Sequence, residues 1–226
     1  MSKIICVDPG HGGSDSGAVN GSRYEKDDTL RIALLVRDNL SAQGCTVYMT
    51  RTTDEYVSLQ ERARIANDNK ADVFISLHRN AFTNSSAKGI ENWIYHGTDQ
   101  TTEQFAKYVQ DAVIGVKAQA DRGVKKGNFY VTRETYMPAC LLELGFISND
   151  TDNQYFDQNI DEYAKAITKA ICTYLNIPYN EGTTPEPPVT DDKYYRVQVG
   201  AFKDKANADR LCEELKANGY TAYVTE

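Results

Sequence analysis

No run of apolar residues in the 226-residue chain approaches the roughly 20 that a membrane-spanning helix needs, so a membrane protein is not expected. Positive charge is in short supply: 25 Lys and Arg stand against 32 Asp and Glu, a net charge of -7. A binder of nucleic acid backbones carries a basic stripe to neutralise phosphates, so no nucleic-acid partner is expected either. The five cysteines (Cys6, Cys45, Cys140, Cys172, Cys212) are odd in number, form no C-x-x-C pair and sit mostly in apolar segments, which reads as buried free thiols. No secretion signal is expected at the N-terminus. Ile4-Ile5-Cys6-Val7 is too short for a signal core, is stopped by Asp8-Pro9-Gly10 and has no small-residue cleavage site. The expectation is a protein made in the cytoplasm without a signal peptide, which reaches any outside target through lysis or an unusual export route.

With 41% hydrophobic and 25% charged residues, the composition is that of an ordinary globular protein, long enough for one main domain and a small appendage. Short apolar, β-branched runs at about 3–8, 44–50, 72–78, 89–95, 128–131 and 138–143 alternate with helical segments. That alternation predicts an α/β three-layer sandwich: a central, mostly parallel, twisted sheet of about six strands with helices on both faces. Leu30, Ala33, Leu34 and Leu40 mark one helix, ended near Gly44; Ser58 to Asn69 and Glu103 to Gly115 mark two more. Tyr163, Ile167, Ala170, Ile171, Tyr174 and Leu175 recur at three- and four-residue steps, the clearest stripe in the chain, and it stops at about Asn176-Ile177-Pro178. Residues 1–178 are thus expected to form the main domain. Residues 179–192, with Pro185, Pro187 and Pro188, read as a semi-rigid linker that buries nothing. Residues 193–226 read as a small β-α-β unit: alternating Tyr195, Val197 and Val199, a helical stripe of Ala208, Leu211, Cys212 and Leu215 closed by Asn218-Gly219, then a strand over 220–225.

Only three histidines are present, which makes their positions informative. His11 follows the first predicted strand and His78 ends the third, and in open α/β sheets ligands bind outside the carboxyl ends of strands. Either histidine alone reads as a turn or core residue; two at such ends converge. A catalytic zinc site takes three protein ligands and keeps one position open, and two histidines with a carboxylate are a known set. Glu25, in the loop ahead of the Leu30 helix, is the best third ligand, although an acid at a helix N-terminus is favoured by the macrodipole in any case. Spacing leaves both readings open. Glu143 follows the apolar run Ala139 to Leu142, where a carboxylate is costly to bury and its pKa is driven toward the working range of a general base.

Asp8-Pro9-Gly10-His11-Gly12-Gly13 with Asp15 and Gly17, then Glu25, then Ser76-Leu77-His78-Arg79-Asn80-Ala81, then Leu142-Glu143-Leu144-Gly145-Phe146-Ile147-Ser148-Asn149 resemble the amidase_3 family of N-acetylmuramoyl-L-alanine amidases, over about residues 3–177. The resemblance implies zinc (Zn2+) held by His11, Glu25 and His78, with Glu143 as the catalytic acid/base. It implies a peptidoglycan hydrolase: zinc polarises the lactyl carbonyl of muramic acid, and Glu143 takes a proton from the bound water and passes it to the departing L-alanine nitrogen. Arg79 and Asn80 are then candidates to touch substrate. Arg51 and Arg62 read as loop holders through weak surface pairs, and His96 as an exposed strand-end residue outside the metal set.

Tyr195-Arg196-Val197-Gln198-Val199-Gly200-Ala201-Phe202 resembles the opening strand of SPOR domains, which bind glycan strands stripped of their peptides. It covers the first half of that β-α-β-β-α-β fold. Half a domain leaves unpaired edges that a twofold-related copy would fill, so a homodimer through residues 193–226 is expected. The resulting expectation is a phage endolysin or host lysis enzyme acting on the bacterial cell wall after holin- or lysis-mediated release. Two rivals are less suited to the residues. A zinc carboxypeptidase usually sets its first histidine and glutamate three residues apart, against fourteen here; a non-catalytic wall-binding protein has no use for Glu143 and a full ligand set.

Overall fold

A computed structural model of the chain describes residues 2–117, 119–181, 205–217 and 224. The chain divides into two compact units, Met1–Glu186 and Pro187–Glu226. In the first, β1 (Ile4–Pro9), β4 (Thr46–Met49), β5 (Val73–Asn80), β6 (Ile90–Tyr95), β7 (Asp121–Gly127) and β8 (Ala139–Phe146) form one sheet in the order β4-β1-β5-β8-β6-β7. The pairs β4-β1, β1-β5, β5-β8 and β6-β7 are parallel, and only β8-β6 is antiparallel. A small hairpin, β2 (Val19–Asn20) with β3 (Arg23–Tyr24), leads into helix α1 (Glu25–Ala42).

Because central strands are covered on both faces, their sequences are continuously apolar, and residue parity decides which layer each side chain joins. Ile5, Val7, Val73, Ile75, Leu77, Cys140, Leu142 and Leu144 share one core with α1, α3 (Gln100–Ile114) and α5 (Asp150–Tyr174). The intervening Cys6, Phe74, Ala139 and Leu141 meet Ala66 of α2 (Leu59–Asp68) and Val131 of α4 (Tyr130–Arg133) on the other face. Each fully buried Ile, Leu or Phe contributes about 1.5–3 kcal/mol. The two short helices leave the carboxyl end of that second face uncovered, and the site lies there. Local signals set the helix starts: Ser58 accepts from the Glu61 amide, Asp99 from Thr102 and Asn149 from Asp152.

Three expectations need correction. The strand expected at 128–131 is instead the turn of helix α4, and the sixth strand is Asp121–Gly127, whose sequence DRGVKKG carries little β signal. As an edge strand with a single neighbour, β7 has no need of an apolar pattern. The last long helix begins at Asp150, well before the stripe at Tyr163, and changes direction at Asn159. Finally, the first residues of the expected linker are attached: Tyr179 packs against the main core and the Asn180 amide donates to Gln43 Oε1 at 2.9 Å. In the second unit, α6 (Lys205–Ala217) carries half-buried Ala208, Leu211 and Leu215 beside buried Cys212. The strands expected at 195–199 and 220–225 lie outside the described residues. All five cysteines are free, and among the described residues no helix is long and apolar enough to cross a membrane.

Candidate metal and catalytic centre

The site begins where β1 ends. Gly10 bonds back to the Leu77 carbonyl at 3.0 Å, and a Cβ on Gly10 would lie 2.2 Å from the His78 ring, so only glycine lets the two strand ends close up. His11 then takes φ +61°, a left-handed conformation that costs a non-glycine residue on the order of 1 kcal/mol and has to be imposed by its surroundings. Two arginines impose it. Arg62 donates to the carbonyls of Pro9 (2.6 Å) and His11 (2.6 Å) and to Asp8 Oδ1 (2.7 Å), while Arg51 donates to the carbonyls of Gly10 (2.8 Å) and Pro9 (3.1 Å). Both are buried, at 2% and 3% exposure, so the expectation of weak surface pairs is wrong. Burial works to raise the Asp8 carboxyl, but Arg62, Ser76 and Thr50 outweigh it and hold it low.

Glu25 is the first residue of α1, at the exit of the β2-β3 hairpin, rather than in a loop. Its Oε2 accepts from the Ala18 amide (2.8 Å) and lies 3.2 Å from His11 Nε2; its Oε1 accepts from the Arg79 amide (3.0 Å) and lies 2.9 Å from His78 Nδ1. Among the described residues, His11, Glu25 and His78 form the one group of such side chains arranged to hold a metal ion, with donor atoms within 4.8 Å of one another. A tetrahedral zinc with bonds near 2.0–2.1 Å spaces its ligand atoms by roughly 3.4 Å, and the two histidine–carboxylate distances of 3.2 and 2.9 Å are of that order, so the donors fit that ion in type. Asp15 Oδ2 meets His11 Nδ1 at 2.9 Å and fixes the ring, the carboxylate–histidine arrangement common behind metal ligands. Gly17 completes the pocket, since a Cβ there would come within 2.6 Å of His11 and 2.7 Å of Glu25. Burial opposes charge on both Glu25 and His11; their mutual attraction wins, holding Glu25 far down and raising His11 to about 9.

Glu143 pairs with His78 in the β5-β8 register, which brings the acid beside the triad. Its buried Oε2 has no hydrogen-bond partner among the described residues. Burial pushes its pKa up to about 7; the histidines pull it down, and Glu25 and Glu91 add to the rise. Just beyond His78 the register shifts, a bulge of the kind found beside active sites, and Asn80 turns to donate to Glu91 Oε1 at 2.7 Å. Arg79 points the other way: it is 1% exposed, bonds Asp28 (2.6 Å) and Asn153 (2.6 Å) and stacks over Phe156, so it braces the fold instead of reaching substrate. His96 follows β6, whose reversed direction carries it to the opposite end of the sheet.

Sequence reasoning missed Glu91. It sits opposite Glu143 in the β8-β6 register and is 3% exposed. The signal that marked Glu143, a lone acid in an apolar strand, was present in Ile90-Glu91-Asn92-Trp93-Ile94 as well.

The profile of the N-acetylmuramoyl-L-alanine amidase family matches residues 5–173, and that of the SPOR domain residues 181–226. The N-acetylmuramoyl-L-alanine amidase CwlM of Bacillus licheniformis is 37% identical over 224 residues, 97% of this chain and 83% of that one. A sporulation-specific N-acetylmuramoyl-L-alanine amidase of Bacillus subtilis is 37% identical over 222 residues, again 97% and 83%. The crystal structure of an N-acetylmuramoyl-L-alanine amidase from Clostridium difficile 630 superposes with a TM-score of 0.75 at 37% identity, covering 77% of this chain and 97% of that one. The order of strands, the three-donor pocket at their carboxyl ends and these likenesses agree, and the chain belongs to the N-acetylmuramoyl-L-alanine amidase family.

Proposed function

We propose that the protein hydrolyses the amide between the lactyl group of N-acetylmuramic acid and L-alanine in peptidoglycan, with zinc held by His11, Glu25 and His78. Zinc in that pocket supplies a Lewis acid that polarises the carbonyl and acidifies water. The chain does the rest. Asp15 orients His11, and the Ala18 and Arg79 amides hold the Glu25 carboxylate. Glu143 accepts the proton of the attacking water at Oε2 and delivers it to the departing alanine nitrogen. The observation that carries the reading is the unpartnered Oε2 of Glu143, buried beside a three-donor pocket.

Two measurements test it. Mass spectrometry of digested walls should find stem peptides with a free L-alanine amine; cuts at glycosidic or inter-peptide bonds would overturn the assignment. His11→Ala, Glu25→Ala and His78→Ala should each lower zinc content and abolish hydrolysis. Full zinc in the Glu25 variant would move the third ligand to another acid such as Asp15. A lytic setting, as a phage endolysin or host lysis enzyme released onto the wall, is supported by the pairing of this domain with a SPOR match at residues 181–226. Binding of that segment to glycan strands, and a homodimer formed through residues 193–226, belong to the same proposal.

A further inference from the structure

Across the sheet from the histidines, the cleft has a wall that the proposed chemistry leaves unused. The order β5-β8-β6-β7 carries the second face from His78 to Glu143, then to Glu91, then to Arg122 and Lys125. Neighbouring strands lie about 4.8 Å apart, which puts β7 about 10 Å from the strand of Glu143. Both cations lean back toward it: Arg122 Nε donates to Glu91 Oε2 at 2.5 Å and Lys125 Nζ to the same oxygen at 2.6 Å. Glu91 therefore balances only one of two positive charges. Asp121, the acid beside Arg122 in sequence, is turned toward α3, where Gln110 donates to its Oδ1 at 2.7 Å. Glu143, the next acid along this face beside Glu91, is committed to proton transfer, and Asp8 of β1 is paired with Arg62.

Arg122 is a fork with free prongs. Its Nη1 and Nη2 have no hydrogen-bond partner among the described residues, its side chain is 36% exposed, and its guanidinium sits 5.0 Å over the Phe146 ring. One edge is thus fixed by Glu91 and the plane by Phe146, while two parallel N–H groups face solvent. That geometry suits a carboxylate held by two hydrogen bonds. Given the amidase reading, on which this rests, the glycan side of the scissile bond offers hydroxyls and acetamido groups, its lactyl carboxyl being consumed in the amide. A nearby anion can come only from the peptide. Extended chain advances about 3.5 Å per residue, so a carboxylate one or two residues past the scissile nitrogen lies about 4–7 Å from it. Glu91 and Glu143, as directly opposed residues, have Cβ atoms about 5 Å apart, and Arg122 stands one hydrogen bond beyond Glu91. The geometry points to Arg122, backed by Lys125, as the specificity-determining subsite for a free carboxylate on the peptide leaving group.

The test compares two synthetic muramoyl peptides that differ at the second peptide residue, one with a free carboxylate and the other with a carboxamide. With the full chain, kcat/KM for the carboxylate form should exceed that for the carboxamide by about 10- to 100-fold, the worth of a charged two-pronged hydrogen bond. The ratio should fall to within about threefold in Arg122→Gln and lie between in Arg122→Lys, which keeps the charge but loses the fork. Cleavage of both substrates at equal rates in the wild type, or an undiminished ratio in Arg122→Gln, would overturn the assignment. Titration calorimetry with the two uncleaved peptides separates this from the amidase reading. Tighter binding of the carboxylate form without release of L-alanine amine leaves the subsite standing and removes the amidase; cleavage with no discrimination in rate or binding does the reverse.

Discussion

At Glu143 an ordinary carboxylic acid is placed where its charged form is disfavoured, by burial first and by the facing carboxylates second, and its proton affinity rises to about 7. Only the deprotonated form accepts a proton, so kcat/KM should rise with pH through this group. A bound cation pulls the midpoint down, and the acid limb should fall between the ordinary 4.5 and about 7. Glu143→Gln, nearly isosteric, should keep zinc and fold while losing at least about a hundredfold in kcat; a wild-type rate would make Glu143 structural. His11 moves in the opposite sense. With its folded-state pKa raised from 6.5 to about 9, it stabilises the metal-free protein fully below about 6.5, and that contribution is lost as pH rises through about 9. Urea midpoints of chelator-treated protein should therefore decline over that window, and in His11→Ala this decline should be much reduced.

Among the elements, β1, β5 and β8 were legible because a strand buried on both faces must be apolar throughout, and the polar residue breaking such a run stands out. The same logic marked His11, His78 and Glu143. It did not mark β7, whose Arg122, Lys125 and Lys126 read as a loop, nor the first half of α5, whose sequence DTDNQYFDQNI offers only Phe156 and Ile160 to the core. It also misjudged Arg62, since no pattern announces that a helical arginine will turn inward to meet an acid 54 residues away. That pair supports the loop that carries His11. Arg62→Met should leave Asp8 buried and unpaired, costing about 3–5 kcal/mol in chemical denaturation, and it should weaken zinc binding by freeing the His11 carbonyl. Unchanged stability would return Arg62 to the role of a surface pair.

For the whole molecule, the division at Glu186 defines a truncation that keeps Tyr179 and Asn180 on the domain they pack against. Light scattering should find the full chain dimeric and the 1–186 truncation monomeric, with the truncation still cleaving small muropeptides but binding walls poorly. A monomeric full chain at tens of micromolar, or a dimeric truncation, would end the idea of a composite module built from two tails. One architectural fact reaches further than any of these. Because β6 and β7 run against the other four strands, the catalytic end of the sheet is assembled from the finishes of β1, β5 and β8 and the beginnings of β6 and β7. The connection at 81–89 leaves β5 at that end, while those at 96–99 and 128–138 lie at the far end. Lengthening or reshuffling the first would change what the cleft admits, whereas the other two offer sites for tags, dyes or tethers that leave the chemistry alone.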